Sequence, residues 1–155
     1  MKYAEGRTGR VFVLRLGTGD RMPDTVETFA AEHGIASAAC WLLGGIGGGR
    51  LVVGPEDTAE SGDQMPPVPM YHDLQGVHEA AAVGTLFPNA EGKPRLHMHT
   101  TLGRGGVART GCIRPGIKVW GVAEVILMEL TGMEMSRRID PATGLEMLDV
   151  PQQRT

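Results

Sequence analysis

Hydrophobic positions along the chain fall into short runs, several rich in β-branched residues and most closed by glycine, proline, asparagine or aspartate. Arg10-Val-Phe-Val-Leu-Arg-Leu16, stopped by Gly17-Thr-Gly19, reads as a strand. Asp24-Thr-Val-Glu27 then has capping-box spacing, an acid with glutamate three residues on. Val26, Phe29, Ala30 and Ile35 follow near helical period, and His33-Gly34 ends the pattern. One helix is predicted, over about residues 24–34.

From Ile35 onward no second 3.6-residue period appears. The runs 37–43, 50–53, 70–74, 80–87, 95–102, 107–113 and 119–130 predict strands separated by turn chemistry. A closing hairpin, 133–139 against 145–148, is predicted around Asp140-Pro-Ala-Thr-Gly144, a turn opened by proline and closed by glycine. The order strand, helix, then many strands predicts an α+β fold with a largely antiparallel sheet, because the alternating helices of a parallel sheet are missing. Residues 55–69, poor in apolar side chains and carrying Pro66-Pro67, predict a surface loop. Residues 1–150 are expected to form one domain, with 151–155 a frayed tail.

Composition adds the reason for so many turns: 23 of the 155 residues are glycine, against seven aromatics. With 41% hydrophobic and 21% charged residues the chain is globular, not disordered. A domain of this size builds a core without disulfides or structural metal, which leaves any metal ligands free for function. A net charge of −3 gives no general attraction to nucleic acid or to an anionic membrane. The two cysteines, Cys40 and Cys112, and an amino terminus without an apolar run predict a cytoplasmic, reducing setting. The longest apolar stretch, 36–49, is too short and too glycine-rich for a membrane span.

Gly44-Gly-Ile-Gly-Gly-Gly49 invites a phosphate-loop reading, since amides without neighbouring Cβ atoms cradle anions. The spacing rejects it. Arg50 stands where a dinucleotide fingerprint needs glycine, no Gly-Lys-Ser/Thr follows, and Leu51-Val-Val53 is a strand where a helix is required. The segment reads as a bulged or tightly packed strand connection. Arg50 is retained as a candidate for an anionic small-molecule ligand.

The sharpest chemical feature is Arg95-Leu-His97-Met-His99-Thr-Thr-Leu102. In a strand, residues two apart share a face, so both imidazoles reach one ion. Gly103-Arg-Gly-Gly106 offers a hairpin turn into the strand 107–113, which carries Cys112. Two imidazoles and one thiolate suit zinc with a fourth position open, and other divalent transition metals accept imidazole too. Three alternatives stand beside this: a polar strand face, a buried apolar Cys112, and a Cys40–Cys112 disulfide.

Taken in order, several segments resemble the plants-and-prokaryotes-conserved (PPC) domain over nearly the whole chain. They are Arg10–Leu16 with Gly17-Thr-Gly19-Asp20, His33-Gly34-Ile35, Leu43-Gly-Gly-Ile-Gly47, Gly92-Lys-Pro94-Arg-Leu-His97-Met-His99, Val122-Ala-Glu124-Val-Ile126 and Asp140-Pro-Ala-Thr-Gly-Leu145. The resemblance implies an antiparallel α+β domain assembled as a homotrimer. It also implies a metal site on the His-x-His strand, whose third position, Gly-Gly-His in similar prokaryotic members, here reads Thr110-Gly111-Cys112. That departure leaves two outcomes open, a thiolate ligand or a site without metal. Glu124 matches the family's Ala-Glu-Val glutamate and is the candidate general base or partner of a histidine.

Three functional readings follow. A trimeric metal protein acting on a small ligand, as a hydrolase or lyase, would use His97, His99, Cys112 and Glu124. An assembly module without chemistry would use exposed surface such as Trp120 or Arg137-Arg138, although Trp120 reads first as a core aromatic and Arg137 as a solvated charge. A DNA-associated regulator is what the plant members of the family suggest. No Arg-Gly-Arg-Pro core is present for it, and the chain is acidic.

Overall fold

The computed structural model describes residues 1–56 and 65–151. In chain order the elements are β1 (Arg7–Gly17), β2 (Arg21–Met22), α1 (Asp24–Glu32), β3 (Ala38–Gly48), β4 (Arg50–Pro55), β5 (Pro69–Asp73), β6 (His78–Pro88), β7 (Pro94–Arg104), β8 (Val107–Ile113), β9 (Ile117–Thr131), β10 (Ser136–Ile139) and β11 (Glu146–Asp149). Among the described residues nine strands make one antiparallel sheet, ordered β1-β9-β3-β6-β7-β8-β4-β5 with β2 also on β9, and β10–β11 form a separate hairpin. The largely antiparallel α+β expectation is met. The two-residue β2 is too short to leave a pattern in the sequence.

The helix forms where predicted but without its capping box. Pro23 is the N-cap and has no N–H for a glutamate to accept, so the reciprocal bond cannot close. Glu27 serves the sheet instead: one carboxylate oxygen accepts the Leu96 N–H at 2.8 Å and the other lies 3.5 Å from Arg95. The helix ends at Glu32, short of the predicted boundary, because His33 caps it and Gly34 turns the chain at φ +64°. Val26 and Ala30 are fully buried, in one core with Leu16, Leu42, Leu86 and Leu127 from alternate positions of the sheet. Phe12 and Phe29 meet edge to face at 5.5 Å. A buried leucine in such a core contributes about 1.5–3 kcal/mol.

The glycine cluster is the far half of β3, not a loop. Its pairing with β9 shifts register between Gly44 and Ile46 and again between Ile46 and Gly48. A Cβ on Gly44 or Gly45 would strike the β9 backbone at Val122 or Trp120. Trp120 is therefore not a core residue: it lies over the bare backbone of Gly45 and Gly47 and is 55% exposed.

The loop predicted over 55–69 is closed at its base by the pairing of Pro55 with Pro69, and residues 57–64 lie outside the described residues, as do 152–155 of the tail. Among the described residues no helix is long and apolar enough to cross a membrane.

The sheet face away from the core is apolar as well. Val13 pairs with Ile126, Ile126 with Trp41, Trp41 with Val83, Val83 with His99 and His99 with Cys112, one row across six strands. The first four of these side chains are substantially exposed.

Candidate metal centre

Strict alternation along β7 buries Leu96, Met98, Thr100 and Leu102 and turns His97 and His99 to the opposite face. Gly105 and Gly106 then reverse the chain at φ +57° and +80°, the left-handed pair that a two-residue hairpin turn needs. Arg104 faces Val107 across this turn, and counting back along the ladder sets Cys112 opposite His99. The predicted hairpin thus delivers the thiol to the histidines.

The nearest ring nitrogens of His97 and His99 are 3.1 Å apart, and one donor atom from each of His97, His99 and Cys112 lies within 4.8 Å of the others. Two nitrogens on a tetrahedral zinc are about 3.3 Å apart, given bonds of ~2.0–2.1 Å. The imidazoles fit that spacing as they stand, and the Cys112 thiol lies within 4.8 Å of both. Burial lowers the His97 pKa, helped by the positive charge of Arg137 and by His99 and Arg114, which keeps this imidazole neutral and able to ligate. Burial raises the Cys112 thiol, while Arg114 and Arg137 pull it back. Cys40, on the core side of β3, is pushed up to about 12 by burial. Both cysteines are free, so the disulfide alternative does not hold.

His97 and Cys112 open onto a cavity of about 590 Å³ that the β10–β11 hairpin walls on one side. Arg137 of β10 reaches into this wall. Expected as a solvated charge, it is only 5% exposed, and its terminal nitrogen donates to the Thr85 hydroxyl at 3.0 Å and to the Thr85 carbonyl at 3.3 Å. Alternation gave a signal for this: of two adjacent arginines in a strand, one must face inward. Arg114, two residues past Cys112, lines the same cavity, and nothing in the sequence pattern singles it out.

Two other candidates stand apart. Glu124 pairs with Leu43, Leu43 with Ala81 and Ala81 with Thr101, so β3 and β6 separate it from β7. Three strand spacings make about 14 Å. Within one chain the glutamate does not meet the cluster. Arg50 opens β4, with its guanidinium 4.1 Å over the Tyr71 ring, and lies outside the cavity that His97 and Cys112 share.

Comparison with known proteins agrees with this architecture. A metal-containing protein from Archaeoglobus fulgidus superposes with TM-score 0.79 at 26% identity, covering 95% of this chain and 98% of its own. A plant- and prokaryote-conserved protein from Pyrococcus horikoshii gives 0.75 at 21% identity, covering 95% and 97%. A provisionally named DNA-binding protein from Bacteroides thetaiotaomicron gives 0.74 at 18%, covering 94% and 97%; at that identity the likeness is one of fold. No curated protein matches the chain. The Plants and Prokaryotes Conserved (PCC) domain matches residues 3–131, and the chain belongs to that family.

Proposed function

We propose that this protein is a trimeric, zinc-type metal protein in which His97, His99 and Cys112 hold the ion and a small molecule binds beside it. The observation that carries the reading is the register of β7 and β8, which sets Cys112 opposite His99 with His97 on the same face. The metal content named for the Archaeoglobus relative supports it. A bound divalent ion would polarise a carbonyl or acidify a water, the chemistry of a hydrolase or lyase. The chain's own residues supply the rest: His97 is held neutral, and Arg114 and Arg137 line the adjoining cavity.

The trimer rests on the resemblance and on the outer row of Val13, Ile126, Trp41 and Val83, a face too apolar to be left to water. Second copies are its fitting occupants. Glu124 lies on that same face, and a proton-handling role for it requires the cluster of a neighbouring copy. Elemental analysis with light scattering on untagged protein tests both parts, with one zinc per chain and three chains per particle expected. Metal-free or monomeric protein under zinc-replete conditions would sink the corresponding part.

A DNA-associated role is the alternative reading, favoured by the name of the Bacteroides structure. Its test is a salt titration on duplex DNA, where phosphate contacts lose affinity steeply as salt rises. Absence of binding at low salt would exclude it.

A further inference from the structure

Arginine cannot shed its charge in a protein, and a guanidinium taken out of water without a counter-ion is strongly unfavourable. Arg137 is close to that position: the Glu146 carboxylate shares its cavity and acts on it through space, but forms no salt bridge with it. The arginine is 5% exposed, forms no salt bridge with any described residue, and has a buried Nε with no acceptor. Thr85 satisfies only the terminal nitrogen Nη2. Phe87 offers its ring at 5.9 Å, a weak contact at that distance. Such an arginine lacks a directly bonded anion.

The geometry around it says where that anion would lie. Thr85 and His97 are direct partners across the β6–β7 ladder, so the guanidinium seated on Thr85 lies against the strand next to His97. His97, Cys112, Arg114 and Arg137 line one cavity. Arg114 is exposed at its rim and has no salt bridge among the described residues. Arg95 is already matched by Glu27.

We propose that Arg137, with Arg114 at the rim, forms an oxyanion subsite that takes the carboxylate of a small ligand whose other end lies at His97 and Cys112. This deepens the metal-centre reading by naming a ligand class, and rests on that reading only for the ligand's second contact. A carboxylate is favoured over a phosphate by charge. Glu27 and Glu146 share the lining with the three arginines, so the cavity suits one negative charge better than two. A guanidinium edge also matches a planar carboxylate.

Glycolate, with one carboxylate and one hydroxyl, is the probe. It is titrated into the full chain without metal and again with one equivalent of zinc, against sodium chloride at matched ionic strength, while amide resonances are followed. Saturable shifts at Thr85 and Arg137 are expected in both states. Arg137→Met keeps the stem, removes the charge, and is expected to weaken binding about tenfold or more; Arg114→Gln is expected to weaken it about threefold. If Arg137→Met does not fold, Arg137→Lys and Arg114→Gln carry the comparison. Shifts reproduced by sodium chloride, or unchanged in the variants that fold, overturn the subsite. Inorganic phosphate binding more tightly than glycolate overturns the carboxylate assignment. Glycolate shifts that persist in a protein unable to bind zinc sustain the subsite and count only against the metal centre.

Discussion

His99 and Cys112 are direct partners across the β7–β8 ladder, so one two-residue turn decides whether the thiol meets the histidines. Both turn residues have positive φ, and Gly106 at +80° would hold a β-branched side chain only under strain. Gly106→Val is expected to cost about 1–2 kcal/mol, lowering Tm by roughly 3–6 °C in a chain of this size. It is also expected to weaken zinc binding by shifting the thiol. Gly106→Asn, which tolerates the left-handed region, should retain both properties. Thermal melts and zinc titrations of the two variants read the result, and unchanged zinc affinity in Gly106→Val would detach the site from the turn.

The thiol also sets how metal binding depends on pH. Burial raises the Cys112 pKa, so at pH 7 the free protein holds the proton that a metal–thiolate bond must displace. His97, its pKa lowered, is already neutral there and releases nothing. Zinc binding is therefore expected to free about one proton from Cys112, with affinity rising up to about tenfold per pH unit near neutrality. Calorimetry in buffers of different ionisation enthalpy counts the proton. Cys112→Ser should lose most of that release and much of the affinity, while His97→Ala and His99→Ala should abolish stoichiometric zinc.

Away from the site, Arg10 and Glu129 tie β1 to β9. The guanidinium donates to both carboxylate oxygens, at 2.7 and 2.8 Å, and the Arg10 amide adds a third bond at 3.0 Å. The side-chain hydrogen bonds from Arg10 hold the Glu129 carboxyl at about 2, against 4.5 unperturbed. A carboxylate whose folded pKa is depressed contributes its full share of stability above the unfolded value and loses it as pH falls through the folded one. The contribution should thus be complete above pH 4.5 and fade between there and about 2. Because Arg10 is half exposed, solvent screening limits the loss in Glu129→Gln to about 1 kcal/mol. Denaturant melts of the two proteins should differ at pH 7 and converge toward pH 2; a constant gap would refute the linkage.

Much of this was legible because alternation and turn chemistry are local. The β7 and β8 boundaries, the Gly105-Gly106 reversal and the shared face of His97 and His99 all follow from neighbours in sequence. The close approach at Gly44, Gly45, Gly47 and Gly49 accords with the reading of this run as tightly packed strand backbone. What failed depends on partners far along the chain. Trp120 looks like core until the bare β3 backbone opposite it is known, and Arg137 looks solvated until the last hairpin is seen folded against Thr85. Asp24 and Glu27 satisfy the capping pattern, yet Glu27 is taken by the Leu96 amide of β7. Glu124 and the cluster sit on separate strands whose order, β9-β3-β6-β7, no local pattern encodes.

That strand order also makes the assembly testable. The exposed row from Val13 to Val83 ends at His99, so copies covering it would crowd the cluster from the side. Val83 is 59% exposed and Val13 74%, so a charge at either should change the stability of an isolated chain by no more than about 0.5 kcal/mol. Buried at an interface between copies, the same charge without a partner is costly. Val83→Glu and Val13→Glu are therefore each expected to reduce the mass in light scattering from about three chains of 16.5 kDa toward one, with far-ultraviolet circular dichroism preserved. They should differ at the metal. Val83→Glu, beside His99, is expected to alter zinc affinity, and Val13→Glu, at the far end of the row, to alter it only as far as trimer formation does. A wild-type monomer, or variants that stay trimeric, would show that copies of the chain do not bury this face.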